Sequence, residues 1–372
     1  MQTDSGNDGK LDDVLRLSHD FGAPDYVLGG GGNTSCKDED TLWVKPSGTT
    51  LETIRKDDFV PMDRSALRGL YAMEPPADAD EREALVKEKS LQAVRPPSTG
   101  RPSVEAPLHD SFPETFVVHT HPALVNGLTC SEQGEAAANR LFPDALWVPY
   151  TDPGYTLCIR VRRNLERAAA ESGRRPQTVF LQNHGVFVAG DSPEEIHRRY
   201  DTLMARLAEA YAAAETPTGA PAVGPPPTKD RTAAAKRLLR EVCGEQAAAI
   251  AVSGPFAPPS GPLSPDHIVY AKAHIFEGEP SAEALKAFRR EFGYWPRVVA
   301  CEDAVFGLGP SESTARLAVV FALDGARVQR LADAFGGVRY MSPSAVDFIE
   351  NWEVESYRSQ VAAQSPAANQ EQ

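Results

Sequence analysis

The stretch "TPTGAPAVGPPPTKD", residues 216 to 230, limits the architecture more than any other part of the chain. Proline fixes φ and has no N–H to donate, so Pro217, Pro221, Pro225, Pro226 and Pro227 exclude a helix interior or a central strand there. One folded unit must be complete before this stretch, and another must begin after it. We therefore expect a domain over 1–215, a linker over 216–230, a smaller α/β domain over 231–360 and a disordered tail over 361–372, where "QSPAANQEQ" offers no apolar anchor.

With 372 residues, 41% of them hydrophobic and 24% charged, the chain can bury one large core or two moderate ones. Its formal charge of −14 argues against nucleic acid and anionic membrane as partners, because both need clustered Lys and Arg. A small-molecule substrate fits better. No run of about eighteen apolar residues occurs, and "MQTDSGNDGKLDD" lacks the layout of a signal peptide, so a cytoplasmic address is the expectation. Cys36, Cys130, Cys158, Cys243 and Cys301 are odd in number, widely spaced and free of any C-x-x-C pair. They read as reduced structural thiols rather than a disulfide framework or a zinc ribbon.

Hydrophobic spacing predicts a helix over 11–22, a strand in "TLWVKPSG" and a charged helix that begins near Ala77 and dissolves before Ser103. "TFVVHTHPALVNGLT" alternates as a strand to about His121 and turns helical after Pro122. "DALWVPY", "TLCIRV" and "TVFLQNHGVFVAG" supply further strand candidates, and "DSPEEIHRRYDTLMARLAEAYAAAE" is a helix with Ser192 as N-cap and Pro193 in its first position. Beyond the linker, "RTAAAKRLLREVCG", "GARVQRLADAFGG" and "AVDFIENWEVESYRSQVA" read as helices, "RVVACEDAVFGLG" and "RLAVVFAL" as strands.

Two constellations carry chemistry. The first is "VLGGGGNTSCKDEDTLWVKPSGTTLE", whose glycines are neither a P-loop nor a G-x-G-x-x-G fingerprint. What remains is an anion nest: backbone N–H groups up to Gly32, with Asn33, Thr34, Ser35, Ser47 and Thr49 as added donors, a size suited to one phosphate. An ordinary glycine-rich turn would read the same way. The second is His119 and His121, whose i, i+2 spacing puts two imidazoles on one face at a strand end. With His184 beside Gly185 at another strand end, three neutral imidazoles would form a metal site with an open position. The other histidines, His19, His109, His197, His267 and His274, read as structural or surface residues. Glu105 could serve such a metal as proton acceptor, although spacing alone makes it one acid among many.

In order, "GGGGNTSCK", "LWVKPSG", "RPSVEAPLH", "VVHTHPALVNGLT", "WVPYTDPGYTL" and "LQNHGVFVAG" resemble the class II aldolase/adducin superfamily over about residues 11 to 215. The nearest likeness is to the aldolase portion of bifunctional rhamnulose-phosphate aldolase/dehydrogenase proteins; no dinucleotide fingerprint follows here, so the oxidoreductase step is not carried over. The resemblance implies a three-layer α/β/α domain with a largely antiparallel central sheet. It implies His119, His121 and His184 as ligands of Zn²⁺ or another divalent transition metal, with Glu105 as catalytic acid/base. It also implies Asn33, Ser47, Gly48 and Ser103 as phosphate-binding positions, and Tyr150 or Tyr155 as the group that protonates or orients the aldehyde oxygen. Where many superfamily members have a second serine this chain has Val104, which removes one phosphate hydrogen bond or leaves it to the backbone.

The activity so implied is cleavage of a ketose 1-phosphate of the rhamnulose or fuculose type into dihydroxyacetone phosphate and an aldehyde, through a metal-stabilised enediolate. A sugar-acid-phosphate decarboxylase, a pentulose-phosphate epimerase or a thioribulose-phosphate dehydratase would use the same metal and phosphate groups. A non-catalytic adducin-like scaffold would be expected to lose the metal ligands. Relatives of this kind imply a homo-oligomer, commonly a tetramer.

Overall fold

The computed structural model describes residues 5–352. The chain forms two compact units, Met1–Thr129 with Gln133–Ala210, and Cys130–Glu132 with Tyr211–Gln372.

The first unit is built on seven strands, β1 (Asn33–Lys37), β2 (Thr41–Val44), β3 (Val60–Asp63), β4 (Phe116–Thr120), β5 (Leu146–Val148), β6 (Thr178–Leu181) and β7 (Gly185–Gly190). They lie in the order β3-β2-β1-β4-β7-β6-β5. Every pairing is antiparallel except that of β5 with β6. Alternation along the strands sorts side chains to two faces. Val117 and Phe187 face the apolar stripe of the helix Tyr155–Ser172, formed by Leu157, Cys158, Val161 and Leu165. On the opposite face, the Thr34 hydroxyl lies 2.6 Å from that of Ser18 on the helix Ser5–Asp20, and Thr120 meets the Tyr200 hydroxyl at 2.8 Å. Helices therefore cover both faces of a central, largely antiparallel sheet.

The second unit has β8 (Ala249–Ser253), β9 (Phe276–Glu277), β10 (Val298–Ala300) and β11 (Val305–Gly309), in the order β8-β11-β10-β9. Phe306 and Leu308 pack with Leu239 of the helix Lys229–Cys243 and with Leu285 and Phe288 of the helix Ala282–Phe292. The proline-rich segment is irregular and is tied to this unit. Arg327 donates to the Thr218 carbonyl at 2.8 Å, Arg330 donates to that of Gly219, and Gly224 N–H donates to Pro255 at 2.9 Å. Where proline removes N–H donors, the arginines satisfy the carbonyls.

Two expected strands are helical. "TLCIRV" lies in Tyr155–Ser172 and "RLAVVFAL" in Glu312–Ala332. Both runs are short and apolar, and their buried positions recur at helical spacing, as at Leu157, Val161 and Leu165, so packing overrides the β-branched composition. The expected tail over 361–372, and the part of the last expected helix beyond Trp352, lie outside the described residues. All five cysteines are buried and unbridged. Among the described residues no helix is long and apolar enough to cross a membrane.

Leu165 is fully buried where the helix Tyr155–Ser172 meets the sheet. Truncation there removes apolar contacts and leaves a cavity, so Leu165→Ala should cost about 2–5 kcal/mol. Urea denaturation of wild type and variant measures the loss.

Candidate active site

Strand β4 carries His119, and the extended chain just beyond it carries His121, whose N–H donates to the Tyr26 carbonyl at 2.9 Å. His184 comes from the turn between β6 and β7. That turn is made by Asn183 in a left-handed conformation (φ 53°), with its N–H on the Thr129 carbonyl at 3.0 Å. Gly185 follows because nothing larger fits: a Cβ there would stand 2.5 Å from both the Thr120 carbonyl oxygen and the His121 ring. Gly32, at φ 68°, has the same purpose on the other side, since a Cβ would come within 2.9 Å of the His119 carbonyl oxygen.

The three imidazoles converge. His119 Nε2 lies 2.9 Å from His121 Nε2 and 3.4 Å from His184 Nε2, and one ring nitrogen from each lies within 4.8 Å of the other two. His119 Nδ1 is 2.9 Å from the Val186 carbonyl. A carbonyl accepts only, so Nδ1 carries the proton and the Nε2 lone pair is left facing the other rings. Its ring also stacks on Phe187, centroids 3.9 Å apart and planes 9° from parallel, which fixes its tilt. Nitrogen ligands on a tetrahedral zinc stand about 3.3 Å apart, so this donor set fits a divalent metal. Such an arrangement of lone pairs gains from a cation between them.

Glu105 is the acid of the cluster. Its Oε1 lies 3.4 Å from His119 Nε2 and 3.7 Å from His184 Nε2, while its Oε2 accepts from the Asn33 side-chain amide. Burial alone would raise its pKa, but the imidazoles of His119, His184 and His121 outweigh that and hold the carboxyl well below the usual carboxylate range. Glu105 is the N-cap of the short helix Ala106–Asp110, and the alternate residues of β1 clamp this helix to the sheet. Asn33 holds the carboxylate, Ser35 Oγ is 2.8 Å from His109 Nδ1, and Lys37 Nζ donates to the carbonyls of His109 and Phe112 at 2.8 and 2.9 Å.

No sequence pattern separates His109 from the other unassigned histidines, yet it is fully buried beside the site. Burial keeps it neutral, with its pKa pushed down to about 3, and its Nε2 has no hydrogen-bond partner. Lys37 is likewise buried, and desolvation pushes its pKa down to about 7. The available signal is the period of two in Asn33, Ser35 and Lys37, which places all three on one strand face.

The phosphate candidates divide. Ser47 donates from N–H to the Arg101 carbonyl at 3.0 Å and from its hydroxyl to that of Pro102 at 3.1 Å, while Ser103 N–H donates to Lys45 O at 3.2 Å. The turn carrying Ser47 and Gly48 is thereby joined to Ser103, whose hydroxyl accepts the Glu105 N–H at 3.2 Å. Ser103 and Asn33 thus touch Glu105 directly, and the Ser47–Gly48 turn is joined to it through Ser103. Thr34 does not: strand alternation turns its hydroxyl to Ser18 on the opposite face, which corrects its reading as a phosphate donor. Gly32 is explained by the His119 backbone. Tyr155 is also corrected, because its buried hydroxyl donates to the carbonyls of Leu70 and Met73 and packs the helix rather than facing the histidines. The Tyr150 hydroxyl is buried; desolvation, and then the nearby Asp152 carboxylate, push its pKa up.

Residues 12–211 match the family described as Class II Aldolase and Adducin N-terminal domain, more than half of the chain, and the chain belongs to that family. The superfamily comprises aldolases, epimerases and decarboxylases. Among curated proteins, the chain is 27% identical over 192 residues to the uncharacterized oxidoreductase YuxG of Bacillus subtilis, matching 49% of this chain and 26% of that protein. The match thus spans about a quarter of that relative's length. Among solved structures it is similar to the N-terminal class II aldolase domain of a conserved protein from Thermoplasma acidophilum. There the identity is 25% and the TM-score 0.47, over 56% of this chain and 94% of that one. An L-fuculose 1-phosphate aldolase is 17% identical, with a TM-score of 0.37, over 56% and 86% of the two chains.

If the triad holds a divalent metal, Gly185→Ala should displace the His121 ring and weaken its binding at least about tenfold, a loss of about 1.4 kcal/mol, measured by competition with a chromophoric chelator. For Lys37 the sign of the pH effect is fixed. Between about pH 7 and its ordinary value of 10.5 the unfolded chain holds a proton that the folded chain does not, so the stability lost by burying the charge is recovered as pH rises. The difference in thermal midpoint between wild type and Lys37→Met should therefore move in favour of wild type from pH 7 to pH 10.

Proposed function

We propose that this protein is a zinc-dependent class II aldolase that cleaves a ketose 1-phosphate to dihydroxyacetone phosphate and an aldehyde. The observation that carries the reading is the Glu105 carboxylate, 3.4 Å from one and 3.7 Å from another imidazole nitrogen of a converging histidine triad. Family membership supports it. His119, His121 and His184 would hold the metal. When bound, a divalent ion supplies Lewis-acid stabilisation of negative charge developing on a ketone oxygen.

The chain's own residues do the rest. Asn33 fixes Oε2 of Glu105 and leaves Oε1 on the histidine side, where it can take the proton from a hydroxyl or return one to carbon. A carboxylate is a weak base for a carbon acid, so its proton transfer depends on charge stabilisation next to it. Ser103 and the Ser47–Gly48 turn, tied together by backbone hydrogen bonds, form the surface on which we place the substrate phosphate. Tyr150 is the remaining tyrosine candidate for the aldehyde oxygen. We further propose that the protein acts in the cytoplasm as a homo-oligomer, in which case light scattering gives a mass that is a multiple of 40.2 kDa.

The test is retro-aldol cleavage of a panel of ketose 1-phosphates, reading dihydroxyacetone phosphate release and bound zinc on wild type and Glu105→Gln. The expected result is release by the wild type and a loss of about 10²–10⁴-fold in a variant that still carries zinc. Carbon dioxide release from phosphorylated keto acids, with no cleavage of any ketose phosphate, would replace the aldolase with a decarboxylase.

A further inference from the structure

One edge of the first unit's sheet carries a feature that the aldolase reading does not use. Beside the edge strand β5, the end of the helix Tyr155–Ser172, the residues that follow it and the helix Pro193–Ala213 enclose a groove of about 600 Å³. Arg174, Arg175, Arg198, Arg199 and Arg206 line it, against two carboxylates, Asp144 and Glu171. This excess of cations stands in a chain of formal charge −14.

Two of the five are spent on ordinary surface pairing, since Arg174 meets Asp144 at 3.2 Å and Arg198 meets Glu195 at 3.7 Å, with both arginines largely exposed. The other three are held differently. Arg175 donates to the Ser111 carbonyl at 3.3 Å and Arg206 to the Leu141 carbonyl at 3.0 Å. Arg199 donates to Gln177 Oε1, and the amide of Gln177 is itself oriented by Glu114 at 3.0 Å. Arg199 Nε is buried and has no hydrogen-bond partner. Carbonyl and amide oxygens orient a guanidinium without neutralising it. Arg175 and Arg199, both partly buried, are therefore oriented with their charge intact, and the exposed Arg206 carries a charge that no carboxylate pairs among the described residues, the condition under which arginine binds phosphate through paired donors.

We infer that this groove is a second anion site, separate from the histidine cluster, that takes a small molecule bearing two or more linked phosphate groups. Its volume lies in the range of small-molecule sites, about 300–1,000 Å³. One phosphate would leave part of the arginine array unanswered. Phe142, Pro143, Leu146 and Leu203 add an apolar wall against which an organic portion could lie.

The experiment is calorimetric titration of the zinc-loaded full chain with inorganic triphosphate and, separately, with ATP, at about 0.1 M salt with dihydroxyacetone phosphate present throughout to fill the catalytic phosphate position. Triphosphate tests the charge alone, and ATP tests whether the apolar wall adds affinity. The expected result is saturable binding at one site per chain, weakened at least about tenfold in Arg199→Gln/Arg206→Gln and unchanged in Arg174→Gln. The exposed Arg206→Gln single variant should give a smaller loss and guards against misfolding of the pair, with far-ultraviolet circular dichroism as the control. Absence of saturable binding, or equal binding by wild type and the double variant, would overturn the site. The arginine comparison does not involve the aldolase activity, so failure of that reading would leave this test intact. A groove that binds no triphosphate but accounts for self-association, lost in the same double variant, would instead be an interface between copies of this chain.

Discussion

Side chains leave a strand alternately to its two faces, and the register of β1 with β4 turns this rule into a site. Asn33 stands opposite His119, and Ser35 opposite Val117. From β1, therefore, Asn33, Ser35 and Lys37 face the same way as His119, while Thr34 and Cys36 face the helix Ser5–Asp20. A slip of one residue would exchange the two sets, taking the clamp away from Glu105 and placing a lysine in an apolar core. The apolar stripe of each covering helix protects that register, because each face accepts only its own partner.

Concentrating so many polar groups below the surface is costly, and the structure offsets the cost by pairing nearly all of them. Lys37 satisfies two carbonyls near the end of the short helix, Asp110 takes Arg64 at 2.5 Å and the Tyr71 hydroxyl at 3.0 Å, and Ser111 bonds back to Pro107 at 3.0 Å. A buried polar group left without a partner costs on the order of 1–3 kcal/mol, so each of these bonds restricts where the segment 105–112 can lie. Rigidity of the segment follows from its hydrogen bonding. That rigidity suits the general-base role proposed for Glu105, since the effect of such a base depends on the distance to the proton it moves.

Much of this is legible in the sequence because the informative residues are local. His119 and His121 declare themselves by spacing, His184 by its glycine neighbour, and Glu105 through the order of motifs around it. The face of Thr34 is not legible as long as the glycine-rich stretch is taken for one continuous nest. Once Asn33 is seen to begin a strand, alternation excludes Thr34 and admits Lys37. The helices containing "TLCIRV" and "RLAVVFAL" pass for strands because a short apolar run fits either period, and what decides between them is the surface the run meets. Tyr155 resembles a catalytic residue beside its Pro-Gly turn, but its role depends on carbonyls at Leu70 and Met73, more than eighty positions earlier, which no local pattern encodes.

The glycines are governed by packing in the same way. Small residues beside a phosphate-binding motif are readily credited to the ligand. Gly32 and Gly185, however, are each required by the protein's own backbone, one against the carbonyl of His119 and the other against Thr120 and His121. They allow β1 and β7 to approach the ends of β4 closely enough for residues on separate strands to share one point. The Ser47–Gly48 turn, by contrast, spends the Ser47 N–H and hydroxyl on the carbonyls of Arg101 and Pro102, and so is tied to Ser103 on the segment that leads directly into Glu105. The phosphate position and the base proposed above would thus be adjacent along one short piece of chain, so that binding at one end would bear directly on the position of the Glu105 carboxylate at the other.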